Sequence, residues 1–60
     1  MKRKDILRKL AEAGFIIEEG KKHTHVIKDG KMISVVSRQA EIKENIVRQI
    51  QKQTGVKLLP

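Results

Sequence analysis

The dipeptide Asp29-Gly30 is the feature that most restricts how this chain can fold. It lies between two short segments rich in apolar and β-branched residues, 23–28 and 31–36. Asp-Gly tolerates the positive φ angles of a type I′ turn, which joins adjacent antiparallel strands. The sequence therefore predicts a β-hairpin around which the rest of the chain must be arranged.

A third strand is predicted just before this hairpin. Residues 15–19 are mostly apolar or β-branched, and Gly20-Lys21-Lys22 connects them to the next strand. Three consecutive strands joined by tight turns are typical of an antiparallel meander.

Alternation along the strands predicts which side chains face the core. In the middle strand Thr24 and Val26 share one face, which we assign to the core. In the last strand Ile33 and Val35 are expected to face the core with them. The other face of the middle strand carries three side chains: His23, His25 and Ile27. Both histidines are therefore expected on the open face of the sheet.

Helices are predicted on both sides of the meander. Apolar residues recur at helical spacing over 4–13 and again over 43–54, and each segment is followed by a glycine suited to a helix end. A three-stranded sheet has one face that both helices can cover. The sequence predicts an α+β fold of order α-β-β-β-α, a two-layer sandwich in a single domain of residues 1–60.

Charge narrows the classes of partner. Fourteen Lys and Arg oppose seven Asp and Glu, and the resulting net charge of +7 is spread over both halves of the chain. A distributed basic surface favours a polyanion or an acidic protein. Phe15 is the only aromatic residue, so the chain cannot build the several-ring platform on which single-stranded bases stack. The sequence still allows two kinds of function, which are binding to a duplex or its phosphates and catalysis on a nucleic-acid backbone.

Other classes of function are disfavoured by what the composition lacks. Without cysteine there is no thiol nucleophile and no thiolate metal site. No apolar run approaches the roughly 18 residues of a membrane-spanning helix. We expect no membrane association, no cofactor and a cytoplasmic location.

His23 and His25 are the strongest candidates for chemistry. Histidine can take up and release protons near neutral pH, so an imidazole beside phosphate-binding lysines could activate a ribose 2′-hydroxyl. Attack on the adjacent phosphodiester would then need neither metal nor thiol. Two other readings stay open. The pair can be ordinary surface residues, or it can supply two ligands of a metal site that wants at least one more.

An ordered set of short motifs runs through the chain. They are Lys4-Asp5-Ile6-Leu7 with Leu10, Ala13-Gly14-Phe15, Gly20-Lys21-Lys22-His23, Asp29-Gly30, Glu41-Ile42-Lys43, Ile46, Ile50, Lys52-Gln53 and Gly55. In this order and over nearly the whole length, the chain resembles the HicA-type toxins of bacterial and archaeal toxin–antitoxin modules.

The resemblance implies a fold similar to the double-stranded-RNA-binding domain. It also implies a ribonuclease that cuts messenger RNA, blocks translation and is neutralised by a HicB-type antitoxin. The family's catalytic histidine follows a glycine-containing turn, which places it at His23 with Gly20 as the turn glycine. Charge and position add a set of residues expected to bind RNA: Lys21, Lys22, His25, Arg38 and Lys43.

The chain departs from the family at two places. Its turn carries Lys21-Lys22 where members often have Ser or a second Gly, and residues 36–39 lack the closely spaced Pro and His of many members. His25 lies outside the family motif, and it is included among the candidate residues only because it shares a face of the middle strand with His23. The second acid–base group is therefore His25 or a lysine. Two alternative functions remain, a non-catalytic module that binds duplex RNA and a domain that binds an acidic protein.

Overall fold

Two helices and three strands make up the structure, a computed structural model that describes all 60 residues. In chain order they are α1 (Arg3–Glu12), β1 (Ile16–Glu19), β2 (Thr24–Lys28), β3 (Lys31–Val36) and α2 (Glu44–Thr54). The strands form one antiparallel sheet in the order β1-β2-β3. The predicted α-β-β-β-α order and the meander are confirmed.

Both connections between strands are tight turns. Asp29 and Gly30 have φ angles of 54° and 75°, and positive φ at both central residues is the mark of the type I′ turn. At the opposite end of the sheet the Gly20 amide donates a hydrogen bond to the His23 carbonyl, at 2.9 Å. Lys21-Lys22 therefore forms the tip of the β1–β2 hairpin.

The core lies between the sheet and the two helices. Helix α1 contacts β1 and α2 contacts β3, so each helix covers one side of the same sheet face. Nine apolar side chains are buried there: Ile6, Leu10, Phe15, Val26, Val36, Ile42, Val47, Ile50 and Leu58. Neither helix has the length and apolar character needed to cross a membrane.

Of the two β3 residues predicted to face the core, Ile33 and Val35, the prediction is wrong for Val35. Val35 is 42% exposed and belongs to the open face, whereas Val36 is fully buried. Ser34 also faces the core, where its hydroxyl donates a 2.6 Å hydrogen bond to the side-chain oxygen of Gln53. Ile33 is half-buried and packs against the core, as expected.

A β-bulge explains this difference. Val26 pairs with Ser34, but its neighbour Ile27 pairs with Met32, so Ile33 has no partner on β2. One extra residue on a strand shifts its side-chain alternation by one position. Ile33 can therefore reach the core on one side of the bulge while Ser34 faces it on the other.

Two threonine substitutions test this register. We expect Val36→Thr to lower the free energy of unfolding by about 1–3 kcal/mol, because it buries a hydroxyl with no partner. Val35→Thr puts the same hydroxyl on the open face and should change stability by no more than about 0.5 kcal/mol. Urea unfolding of both variants measures the difference. Equal losses, or a larger loss at position 35, would contradict the register.

Candidate active site at the β1–β2 hairpin

The candidate catalytic residue His23 is exposed. It lies in the bend that closes the hairpin, one residue before β2 begins at Thr24. Lys21 and Lys22 precede it at the tip and are also exposed. His23 also borders a cavity of about 240 Å³, whose wall includes Ile46 of α2. The imidazole is thus accessible from solvent and adjoins two lysines in the chain.

His25 has a different environment. It lies within β2 on the open face, as predicted, and is half-buried between its cross-strand neighbours Glu18 and Val35. Its ring lies directly over Gly20, because a Cβ atom added there would be 2.9 Å from the His25 Cε1 atom. Only His25 projects from the strand itself, and its ring packs against the turn that carries His23.

A polar network fixes the base of this hairpin to the rest of the fold. The Thr24 hydroxyl donates a 2.8 Å hydrogen bond to Oε1 of Glu19, and it accepts one from the Arg3 guanidinium. Arg3 also donates to Oε1 of Glu19 at 2.8 Å and, through Nε, to the Ser37 carbonyl at 3.2 Å. One side chain at the start of α1 therefore joins the end of β1, the start of β2 and the end of β3.

Arg38, predicted to bind RNA, also contacts the hairpin. Its guanidinium donates a hydrogen bond to the Gly20 carbonyl, and its Nε lies 3.5 Å from Oε2 of Glu19. Lys43 is exposed directly before α2 and makes no hydrogen bond or ion pair through its side chain. The structure thus places Arg38 against the turn and shows no hydrogen bond or ion pair between the Lys43 side chain and the turn.

The sequence placed Thr24 on the core face of the middle strand, but it did not assign Arg3, Glu19 or Thr24 to the functional site. The one signal was the basic run Lys2-Arg3-Lys4 at the start of a helix, where acidic or capping residues are favoured, and from sequence alone this run indicates either a frayed helix end or an end that faces phosphate. The structure accounts for Arg3, because its side chain is committed to the hairpin network, and it shows that α1 has no side-chain cap.

The excess positive charge resides on the lysines. Each of the four arginines forms an ion pair with a carboxylate, whereas none of the ten lysines does. The Arg3 and Arg38 contacts bring the start of α1, the β1–β2 hairpin and the end of β3 to one end of the sheet. Five cationic residues gather at this end in addition to Arg3: Lys2, Lys4, Lys21, Lys22 and Arg38. We call this region the cationic end.

Glu19 is the acidic member of the network. The hydrogen bond from Thr24, together with the hydrogen bond and positive charge of Arg3 and the charge of Arg38, holds the pKa of the Glu19 carboxyl below its ordinary value of 4.5. A pKa that is lower in the folded state stabilises the fold at every pH above the unfolded value. That contribution disappears as the pH falls through the lowered folded-state pKa.

We therefore expect Glu19→Gln to reduce the acid sensitivity of the fold. The variant should be less stable than the wild type at neutral pH, and the difference should shrink as the pH falls below about 4.5. Thermal unfolding at pH 7 and pH 3 measures this. Glu18→Gln is the matched control, since Glu18 is the neighbouring carboxylate and forms no ion pair. Identical pH profiles for Glu19→Gln and the wild type would refute the role of the network.

No group of three or more histidine and carboxylate side chains is arranged to hold a metal ion. In comparisons with known proteins, no protein-family model, curated protein or solved structure matches this chain. The resemblance to HicA-type toxins, and the function it implies, stay predictions.

Proposed function

We propose that this protein is a metal-independent endoribonuclease that cleaves messenger RNA, the HicA-type toxin of a toxin–antitoxin pair. The observation that supports this most strongly is the environment of His23. The imidazole is exposed at a hairpin tip, follows two unpaired lysines and lies at the cationic end of the fold. A proton-transfer group beside unpaired cations suits chemistry on a phosphodiester.

In the proposed reaction His23 removes the proton from a ribose 2′-hydroxyl. The freed oxygen attacks the adjacent phosphorus, and the bond from phosphorus to the 5′-oxygen breaks. A proton from a second group goes to the leaving 5′-oxygen, which yields a 2′,3′-cyclic phosphate and a 5′-hydroxyl. His25 or a hairpin lysine fills that second role. Lys21 and Lys22 stabilise the negative charge that develops on the phosphate oxygens.

The proposal includes a protein partner. A HicB-type antitoxin would neutralise the enzyme in the cytoplasm by covering the cationic end and keeping RNA from His23. An acidic protein encoded by the neighbouring reading frame would support this part of the proposal. It would also suit the alternative of a domain that only binds an acidic protein, so RNA cleavage must be measured directly.

The second candidate is a non-catalytic module that binds duplex RNA. The unpaired lysines support it equally, because phosphate binding by basic side chains needs no acid–base group. The two candidates differ in one outcome, which is scission of the RNA strand.

The discriminating experiment incubates the protein with messenger RNA in the presence of a chelator. We expect cleavage to persist, since the proposed chemistry uses only imidazole and lysine. Retention of intact duplex RNA that weakens as salt increases would indicate the binding module instead. Cleavage that stops when the chelator is added would refute the metal-independent mechanism.

A further inference from the structure

A second feature of the cationic end is a cleft that Arg38 borders. Its volume is about 490 Å³, and its walls come from the start of α1 and from the segment between β3 and α2. Four of the residues that line it are basic: Lys2, Arg3, Lys4 and Arg38. The cavity beside His23 shares no residue with this cleft, so the two are separate features.

The walls of the cleft are held together by backbone hydrogen bonds. Lys2 forms an isolated antiparallel bridge with Glu41. The Arg3 amide donates to the Ala40 carbonyl at 2.9 Å, and the Ile42 amide donates to the Met1 carbonyl at 2.8 Å. The cationic side chains therefore extend from a backbone that already has its shape before a ligand binds, which lowers the entropy cost of binding.

Two of the four basic charges in the cleft, those of Lys2 and Lys4, are not neutralised by the protein, whereas Arg3 and Arg38 both pair with Glu19. Lys2 and Lys4 form no ion pair, and Arg38 is 45% exposed although it contacts Glu19. The one acidic residue of the cleft, Glu41, is bonded at 3.2 Å to the amino group of Met1. A compact anion is the ligand that this arrangement of free cations favours.

We infer that this cleft binds a backbone phosphate of RNA through Lys2 and Lys4, with Arg38 as the link to the hairpin. The inference rests on the proposed function for its choice of RNA as the polyanion. Arg38 borders the cleft and also hydrogen-bonds the Gly20 carbonyl of the turn that leads to His23. A strand bound in the cleft is thereby directed along Arg38 toward His23, and the site adds two residues to the RNA-binding surface.

The test measures binding separately from cleavage. The probe is a short single-stranded RNA that carries 2′-O-methyl groups, which cannot be cut by the proposed reaction. Its affinity is measured over a range of salt concentrations for the wild type and for the double variant Lys2→Gln/Lys4→Gln. The matched control, Lys31→Gln/Lys52→Gln, removes the same charge from exposed lysines that lie outside the cleft.

We expect the cleft variant to bind about tenfold more weakly and to lower the slope of log K against log salt by about 0.7, the value for one lost phosphate contact. The control variant should lose no more than about twofold under the same conditions, since its lysines contact no phosphate of the strand. Equal losses of affinity in the two variants, or no loss in either, would overturn the proposal that the cleft binds RNA. Competition by a poly-glutamate peptide as effective as unlabelled RNA would overturn it too, in favour of an acidic protein.

The same measurements distinguish this inference from the proposed function. Binding that depends on Lys2 and Lys4, in a protein that leaves unmodified RNA intact, would refute the ribonuclease and support the cleft. If the Lys2→Gln/Lys4→Gln variant cleaves unmodified RNA with unchanged rate and affinity, that result would refute the cleft and support the ribonuclease.

Discussion

Replacement of His23 by alanine is expected to lower the rate of RNA cleavage about 10²- to 10⁴-fold, the usual contribution of a positioned acid–base group. The expected loss follows from the chemistry, since Lys21 and Lys22 can hold a phosphate but leave the 2′-hydroxyl protonated. Because His23 is exposed and lies outside the strands, the variant should unfold at nearly the same temperature as the wild type. Cleavage rates at saturating RNA and thermal unfolding curves measure the two effects.

The control for this prediction is Asn45→Ala, which alters an exposed side chain of α2 and none in the hairpin. It should cleave RNA at the wild-type rate. A His23→Ala variant that is folded and cuts RNA as fast as the control would remove His23 from the mechanism.

Gly20→Ala is expected to have the second-largest effect on cleavage. A Cβ atom at this position would lie 2.9 Å from the backbone carbonyl oxygen of His23 and 2.9 Å from Cε1 of the His25 ring. A side chain can move aside, but the carbonyl can move only if the hairpin moves with it. Because displacement of a reacting group by about 1 Å can cost about 10²-fold in rate, we expect a loss of that size.

The matched variant for this prediction is Gly30→Asn in the other hairpin. A Cβ atom there would contact nothing within 4 Å, and asparagine tolerates the positive φ of 75° at this position. We expect it to keep the wild-type cleavage rate. Full activity and an unchanged fold in Gly20→Ala would show that the close packing around Gly20 does not position His23.

Local patterns were enough to predict the element order. The Asp29-Gly30 turn, with β-branched residues on both sides, specified one hairpin, and the spacing of apolar residues located both helices to within a residue or so. These signals depend on near neighbours in the chain. For that reason they are readable without knowledge of the tertiary structure.

The details of packing depended on contacts between distant residues. The bulge at Ile33 arises from the pairing of β2 with β3, and it placed Val35 outside the core against the alternation rule. Leu58 is buried although it follows the last helix, because the Gln51 side chain accepts hydrogen bonds from the Leu58 and Leu59 amides at 2.8 and 3.0 Å. No local pattern in the sequence indicates either contact.

The candidate site also combines residues that a local motif identifies with residues that only the tertiary structure brings together. His23, Lys21 and Lys22 are adjacent in the chain, so one motif could identify them together. Arg3 and Arg38 are separated from the hairpin by many residues, and only the fold brings them to it. The cleft that contains Lys2 and Lys4 has the same origin, because its walls come from the start of α1 and from the segment between β3 and α2.

The chemical nature of the RNA ends tests the central proposal most directly. In this test, messenger RNA is incubated with the wild-type protein in the presence of a chelator, and the termini of any fragments are determined. We predict 2′,3′-cyclic phosphates and 5′-hydroxyls, and no cleavage at a position where the 2′-hydroxyl is replaced by hydrogen. Fragments with 3′-hydroxyl and 5′-phosphate ends, or scission beside a deoxynucleotide, would contradict attack by a 2′-oxygen activated by His23.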